Sequence, residues 1–481
     1  MKNTKLFLGI SIILFIFLGI FLFLEFRNTF SYQIVNFEQF KLLLLVVFAM
    51  TIFSIVNSVI LEKNFLNLYT IYVIFYFIFN FGLVFLRYYV GYECEEITMY
   101  LDYLFTLADL YKATLLSSYC FFAINIGYLF VRLFLRKNTD STIMKKYNKK
   151  ITDLKEYEKL FKVLLVFTLP FVIFEYLKKI TLVLNYGYSG NYNDLNYGLA
   201  SIGEKILPFY TICTFILMLM NKNDKKKAKF YLIIGVVYNF GLILLGARGQ
   251  AILKIVMYIY IWYKYISKIN IKEILKFSLV AFILVLSITI IRQYRDISLN
   301  EWVNNIFGIA SQALKNNILY EVIYEMGMAI YPTASAIRLV PNVIPYFNGS
   351  TYLYSFINSF IFNFGTSDKN ITNNYNIGYI IAEQENIQYG SSFIEESYAN
   401  FGMFSIIFCA LITIIFVKFI DYINRNENNC IIVGLCLYFY SEILWTIRNV
   451  TYNLPRIYLL YFFSILIVVK IMSKIKKEKY C

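Results

Sequence analysis

The sequence predicts an all-α polytopic membrane protein with about twelve transmembrane helices and one large extracytoplasmic loop. Hydrophobic residues make up 59% of the 481 positions, charged residues make up 16%, and the mean hydropathy is +0.60. Such a composition leaves too little polar surface to enclose a soluble domain of this length. Apolar stretches of roughly 20 residues, enough to cross about 30 Å of hydrocarbon, recur along the chain. Lysine-rich connections between particular stretches complete the pattern of a multi-span protein.

Each predicted span is an apolar stretch of the sequence. The first eight are residues 6–24, 42–60, 66–89, 113–135, 160–184, 206–220, 230–245 and 251–266. The ninth is 274–291, and the last three are 403–420, 430–447 and 457–472. The first span continues into Glu25-Phe26-Arg27 rather than into a small-residue cleavage site. It is therefore predicted to be a retained helix and not a cleaved signal.

A long polar segment divides the chain into three parts. Residues 1–291 carry the first nine spans, residues 292–402 form the large loop with short helices, and residues 403–481 carry the last three spans and a basic tail. Long loops in compact proteins are usually functional or disordered, and helical patterns within this loop favour function.

Two segments of the loop have helical patterns. In residues 302–339, Glu321 and Glu325 lie one turn apart on one helical face, and Pro332 is predicted to interrupt the helix. Residues 352–364 form an apolar patch that predicts an interfacial or re-entrant helix.

The positions of lysine and arginine predict the orientation, because short loops rich in these residues stay in the cytoplasm. The connections after the fourth and sixth spans are basic, whereas acidic residues outnumber basic ones after the third span and in the long loop. Twelve spans then place both termini in the cytoplasm and the loop outside the cell membrane. The net charge of +15 is thus a topological signal, and no nucleic acid partner is predicted.

Arginines in the outward regions are the predicted anion ligands, because a guanidinium stays charged and can hold phosphate oxygens bidentately. Arg248 lies in a short outward turn where the topology rule disfavours a cation, and the neighbouring Gly249 lets the backbone approach a bulky anion. Arg292 follows the ninth span, and Arg338 lies within the loop. The alternative, that an arginine only anchors a helix end, stays open for these residues and is favoured for Arg295, Arg448 and Arg456.

Proton transfer must fall to a carboxylate, because the chain contains no histidine. Glu396 and Glu395 are the predicted general-base candidates, followed by Glu325 and Asp296, since a carboxyl group beside apolar surface can act as a base. A solvated loop acid is the alternative role for Glu395 and Glu396. The seven cysteines have no metal-ligand spacing, and no nucleotide-binding or zinc motif is present, so no cofactor or metal is predicted.

Segment 390–402 reads Gly-Ser-Ser-Phe-Ile-Glu-Glu-Ser-Tyr-Ala-Asn-Phe-Gly and contains Gly390, Ser392, Tyr398 and Asn400. It resembles the Gly-Ser-Ser-Phe-Ile-x-Glu-x-Tyr-x-Asn-Phe-Gly signature of Wzy-type O-antigen and polysaccharide repeat-unit polymerases. The turn 246–249 is similar to their Gly-x-Arg-Gly turn, and Arg338 with Gly349 matches an Arg-x10-Gly spacing described for outward loops of some members. The layout, with one large late loop, is similar over nearly the full length. The chain departs from related O-antigen ligases, which are thought to use an outward histidine.

The resemblance implies a glycosyltransferase of GT-C-like architecture that joins undecaprenyl-pyrophosphate-linked oligosaccharide repeat units at the outer face of the cytoplasmic membrane. In that family chemistry Arg248, Arg292 and Arg338 would neutralise the departing pyrophosphate, and Glu396 would accept the proton of the attacking sugar hydroxyl. The implied partners are the lipid-linked glycans, the bilayer and a chain-length regulator. Two alternatives remain open: a flippase or exporter of lipid-linked oligosaccharide, and an O-antigen ligase.

Overall fold

The computed structural model describes residues 2–27, 35–93, 103–135, 154–186, 199–246, 248–267, 317–358, 376–385, 390–451 and 454–479. All regular secondary structure in these residues is helical. The helices before residue 268 are α1 (Lys2–Phe26), α2 (Phe37–Glu62), α3 (Leu68–Phe85), α4 (Leu107–Phe130), α5 (Leu154–Tyr186), α6 (Leu199–Met220), α7 (Lys225–Leu244) and α8 (Arg248–Ile261). Short π-helical turns extend α3, α4 and α8 at Leu86–Val90, Val131–Leu135 and Trp262–Ile266.

The helices after residue 316 include several short ones from the predicted loop. They are α9 (Ile318–Met326), α10 (Ile330–Leu339), α11 (Ser350–Asn358), α12 (Ile377–Glu385), α13 (Phe393–Phe401), α14 (Ser405–Arg425), α15 (Cys430–Thr446), α16 (Leu454–Ile457) and α17 (Ser464–Lys479). The 3-10 turns Gly327–Ala329 and Gly402–Phe404 join α9 to α10 and α13 to α14, and the π-helical turn Tyr458–Phe463 joins α16 to α17.

Polar residues placed just before the apolar segments begin several of the helices. The side chains of Asn36, Asn67, Asp224 and Asn429 accept hydrogen bonds from backbone N–H groups in the first turns of α2, α3, α7 and α15. A helix leaves its first N–H groups without intrahelical partners, so each cap fixes where the helix starts.

Eight helical stretches in the described residues are long and apolar enough to cross a membrane. They are Lys5–Phe26, Phe37–Glu62, Leu68–Val90, Leu107–Leu135, Lys155–Val183, Lys225–Leu244, Phe393–Arg425 and Leu454–Ile471. Two shorter apolar helices, Lys205–Met220 and Cys430–Thr446, coincide with the predicted sixth and eleventh spans. The predicted ninth span, 274–291, lies outside the described residues. The all-helical membrane fold is confirmed, whereas the count of twelve and the GT-C-like architecture stay predictions.

The last long helices join two groups of earlier helices. Consecutive helices pack on each other within α1–α3 and within α5–α8, and α1, α2 and α3 all contact α4. Helix α14 packs along α4, while α15 packs against α6 and α8. Most of α3 and α4 is buried in this bundle, whereas α1 and α5 expose most of their apolar side chains, as contact with lipid requires.

The helices of the predicted loop are attached to the bundle. Helix α9 packs against α3, and α10 packs against both α4 and α13. The predicted interruption at Pro332 is wrong in position, because the helix changes to a 3-10 turn at Gly327–Ala329, before the proline. Pro332 lies in the first turn of α10, where a backbone N–H has no intrahelical partner and its loss costs little.

An ion-pair network joins three of the central helices. Arg132 lies in the π-helical turn after α4, and its side chain is 2% exposed. Its Nε lies 2.5 Å from Glu62 Oε1, and its Nη1 lies 2.5 Å from Asp421 Oδ1. Glu62 ends α2 and Asp421 lies in α14. Without Arg132, the carboxylates of Glu62 and Asp421 would lose the cation that they share. The network therefore stabilises the arrangement in which α2, α4 and α14 meet at this point.

Candidate active site

Helix α13 is a short, buried helix that carries both predicted general-base candidates. It begins with a capping box: Ser392 Oγ accepts from the Glu395 N–H at 3.0 Å, and Glu395 Oε2 accepts from the Ser392 N–H at 2.8 Å. The Ser391 hydroxyl also donates to Glu395 Oε2, and Thr333 of α10 lies 3.0 Å from the Ser392 hydroxyl. The sequence thus fixes both the start of α13 and its contact with α10.

Glu395 has a structural role at the start of this helix. Its side chain is fully buried, and one carboxylate oxygen takes part in the capping box. The other oxygen, Oε1, has no hydrogen-bond partner among the residues that the structure describes. Glu395 therefore caps its own helix, a structural role that Glu396 does not share.

Glu396 is held by a residue from a distant part of the chain. It is 2% exposed, and its Oε2 accepts hydrogen bonds from the Thr451 N–H at 2.7 Å and from the Thr451 hydroxyl at 2.8 Å. Thr451 lies in the segment that follows α15. The sequence interpretation did not single out Thr451, and no local pattern could have revealed a contact between residues 55 positions apart.

Asn400 connects α13 to the turn that contains Gly349. Its Oδ1 accepts from the Gly349 N–H at 2.9 Å, and its Nδ2 donates to Thr351 Oγ1 at 2.7 Å and to the Glu396 carbonyl at 2.8 Å. The Asn348 N–H adds a bond to the Asn400 carbonyl at 3.1 Å. Two of the predicted motif residues, Gly349 and Asn400, are therefore in direct contact. We call Glu396, Asn400, Gly349, Thr351 and Thr451 the Glu396 cluster.

The remaining motif residues of this region shape the backbone and the packing. Gly349 and Gly390 both have φ of +84°, a left-handed conformation that side chains disfavour, so glycine is needed before α11 and before α13. Tyr398 is buried and packs edge-on against the ring of Tyr346, with centroids 6.4 Å apart. These residues hold the Glu396 cluster in shape.

Arg338 is paired at the junction of α10 and α12. Its guanidinium donates to Glu385 Oε1, with Nε at 3.1 Å, and to the Leu104 carbonyl at 2.7 Å. It also lies over the Phe105 ring, 5.2 Å from the centroid. The Ser335 hydroxyl donates to the second oxygen of Glu385 at 2.7 Å, so this carboxylate is held on both sides.

Arg248 is the first residue of α8, and it pairs with an acid of α9. Its Nη1 lies 2.9 Å from Glu325 Oε1 and 3.2 Å from Oε2, and the two side chains are 14% and 16% exposed. Gly249 packs against the indole of Trp445, since a Cβ there would lie 2.0 Å from Trp445 Cζ3. Gly249 therefore gives α8 room to approach α15, a packing role that its sequence context did not indicate.

The end of α15 and the segment after it contact both the Arg248 region and Glu396. Trp445 packs on the residue next to Arg248, and Thr451, six positions later, holds Glu396. The two arginines have different acidic partners: Arg338 pairs with Glu385 of α12, and Arg248 pairs with Glu325 of α9.

Some of the predicted site residues are not among those that the structure describes. Arg292 and Asp296 lie outside the described residues, as does Ala247 of the Gly-x-Arg-Gly turn. The described residues contain no group of three metal-ligating side chains.

Comparison with known protein families identifies the family of this chain. The family described as O-antigen polysaccharide polymerase Wzy matches residues 7–479, which is nearly the whole chain and includes α13, Thr451 and Arg248. No curated protein and no solved structure matches the chain. Because the family match covers far more than half of the sequence, the chain belongs to the Wzy family of O-antigen polysaccharide polymerases.

Proposed function

We propose that this polymerase is a glycosyltransferase in which Glu396 is the general base for joining lipid-linked oligosaccharide repeat units. Polymerisation of O-antigen repeat units is the function of the family, and the proposal adds the residues, the carrier and the side of the membrane. The observation that carries it is the buried Glu396 carboxylate, one oxygen of which accepts two hydrogen bonds, in the segment that resembles the family's signature. A carboxylate so fixed suits proton transfer, because general-base catalysis depends first on geometry.

The proposed reaction forms one glycosidic bond and breaks one bond to pyrophosphate. A hydroxyl oxygen of the acceptor repeat unit attacks the anomeric carbon of the donor glycan, and the hydroxyl proton moves to Glu396. The bond from the anomeric carbon to the pyrophosphate oxygen breaks, and the lipid pyrophosphate leaves with the electron pair. Within the described residues only Thr451 donates to the Glu396 carboxylate, and only to Oε2. The proton is therefore assigned to Oε1.

Arg248 is proposed to stabilise the leaving pyrophosphate. Its guanidinium already makes short contacts to both oxygens of the Glu325 carboxylate. Phosphate oxygens present a similar pair of acceptors, so a diphosphate can replace Glu325 in the same geometry. The negative charge that develops on the leaving group would then meet a fixed cation in a partly buried site, where such an interaction is strongest. Arg292 and Arg338 remain proposed as further pyrophosphate contacts.

The proposed carrier is undecaprenyl pyrophosphate, and the proposed location is the outer face of the bacterial cytoplasmic membrane, with both termini in the cytoplasm. The lysine-rich connections after the fourth and sixth predicted spans support this orientation. The exposed apolar side chains of α1 and α5 support lateral contact with prenyl chains and lipid. No cofactor enters the proposal, and a chain-length regulator remains a proposed partner.

A flippase of lipid-linked oligosaccharide is the second candidate, and one observation favours it. Lys254 of α8 and Glu442 of α15 form an ion pair at 3.4 Å with side chains 12% and 4% exposed. Buried charges within membrane spans are typical of transport pathways. Loss of the gene separates the two functions: a missing polymerase leaves single-repeat glycan on the cell surface, and a missing flippase leaves none. An O-antigen ligase would share the chemistry and differ in its acceptor.

The direct test is reconstitution. Purified protein in detergent or proteoliposomes is incubated with the native lipid-linked repeat unit, and the products are separated by size. The proposal predicts a ladder of glycans that differ by one repeat unit, formed without added nucleotide sugar. A preparation that carries the substrate across the bilayer without lengthening it would replace the proposal with the flippase.

A further inference from the structure

We infer that Thr451 is a positioning residue, which fixes the Glu396 carboxylate so that one oxygen is held and the other receives the substrate proton. The inference rests on the function proposed above. It assigns a role in the reaction to Thr451, which lies in the connection after α15 and outside segment 390–402.

Thr451 holds a single oxygen of Glu396 from two directions. Its backbone N–H lies 2.7 Å from Glu396 Oε2, and its hydroxyl lies 2.8 Å from the same atom. Hydrogen bonds to a carboxylate are shorter and stronger than those between neutral groups, and these distances are typical of them. Two donors on one oxygen remove the rotation of the carboxylate, so Oε1 has one fixed position as well.

The segment that carries Thr451 is itself ordered. The Arg448 N–H donates to the Trp445 carbonyl at 3.0 Å, and the Asn449 N–H donates to the Thr446 carbonyl at 3.1 Å, which continues the end of α15 as turns. The Asn449 side chain then accepts from the Val450 N–H at 2.8 Å. Hydrogen-bonded turns therefore connect Thr451 to the end of α15. The position of α15 thus determines where Thr451 holds the Glu396 carboxylate.

The same helix end also meets the proposed pyrophosphate site. Trp445 fills the space above Gly249, the residue after Arg248. The last turn of α15 and the segment behind it thus contact both the proposed base and the element that carries the proposed anion ligand. A general base and an anion ligand must hold a fixed separation for in-line displacement, and this shared contact supplies a physical means.

Thr446 provides a matched control at the same end of α15. Its hydroxyl donates to the Ile443 carbonyl of its own helix at 2.7 Å, and it is 8% exposed. Changing either threonine to valine removes a hydroxyl group and nearly keeps the shape of the side chain. They differ in that only the Thr451 hydroxyl reaches the Glu396 carboxylate.

The expected results separate positioning from general stability. Thr451→Val keeps the backbone donor and removes the hydroxyl donor, so kcat falls roughly tenfold to a hundredfold with the KM for the lipid-linked repeat unit unchanged. Thr451→Ser restores the hydroxyl and most of the rate. Thr446→Val keeps the wild-type kcat. If Thr451→Val does not yield folded protein, Thr451→Ala removes the same hydroxyl with a smaller side chain and takes its place.

The decisive measurement is a double-mutant cycle with Glu396→Gln. If Thr451 acts through the Glu396 carboxylate, Thr451→Val has no further effect on the residual rate of Glu396→Gln. Additive losses, failure of Thr451→Ser to restore the rate, or an equal loss in Thr446→Val would each overturn the inference.

The outcomes for the positioning role and for the proposed function are distinct. An active Thr451→Val together with an inactive Glu396→Gln rejects the positioning role and leaves the base in place. A fully active Glu396→Gln rejects the base, and with it the positioning role. A wild-type protein that forms no ladder rejects the proposed function itself.

Discussion

Replacing Glu396 by glutamine tests the proposed base with little change in shape. The amide oxygen of glutamine can accept both hydrogen bonds that Thr451 donates to Oε2, at 2.7 and 2.8 Å in the wild type. The variant loses the charge and the ability to accept a proton. Hydrogen bonds to the neutral amide are weaker, but a buried carboxylate no longer has to be desolvated, and the two effects oppose each other. The stability of Glu396→Gln is therefore expected to stay within about 1 kcal/mol of the wild type.

The expected loss of activity is much larger than the loss of stability. General-base catalysis contributes roughly 10²-fold to 10⁴-fold to a rate, which corresponds to about 3 to 5 kcal/mol in the activation free energy. The assay is the rate of ladder formation by purified protein, with the melting temperature of each variant measured in the same detergent. Glu383→Gln, an exposed acid of α12, is the control and should match the wild type in both measurements. A Glu396→Gln protein that makes polymer of unchanged length and amount would refute the assignment of the base.

Three further predictions follow from the contacts of other residues. Arg248→Ala should lower chain extension about 10²-fold to 10³-fold. Arg248→Lys should also fail, because lysine lacks the planar guanidinium that can hold two phosphate oxygens. Membrane levels by immunoblot should be unchanged, and normal polymer from either variant would contradict the role. Asn400→Ala removes three side-chain hydrogen bonds and should lower the melting temperature by the equivalent of about 2–4 kcal/mol. Arg132→Met leaves Glu62 and Asp421 without their cation and should cost about 3–5 kcal/mol in thermal unfolding; an unchanged melting temperature would contradict either prediction.

The helices of the bundle could be predicted well because a bilayer sets the length of the apolar stretches. Every predicted span except the ninth, which lies outside the described residues, coincides with a helix. The break in the loop helix was misplaced for a local reason. The sequence shows a proline at 332 but does not reveal that a new helical turn begins at Ile330, where that proline is tolerated.

The site was predictable where its contacts are local. The Ser392 to Glu395 capping box can be read from the spacing of the two residues, and the family predicted from the signature segment is confirmed by the match over residues 7–479. Contacts between distant segments were not predictable. The sequence predicted Arg248 and Arg338 as anion ligands but not their acidic partners. These partners, Glu325 and Glu385, lie 77 and 47 positions away, and the contacts form only when the helices pack.

The proposed placement of Glu396 and Arg248 at the outer face of the membrane can be tested with reporter fusions. Alkaline phosphatase, which is active only after export, is fused after residue 247 and after residue 358, and a fluorescent protein that matures in the cytoplasm is fused at the same points. We expect high phosphatase activity and no fluorescence at both positions, with the reverse for fusions after residue 223, in the lysine-rich connection. Fluorescent fusions without phosphatase activity at 247 and 358 would place the site in the cytoplasm and contradict a reaction between lipid-linked repeat units at the outer face.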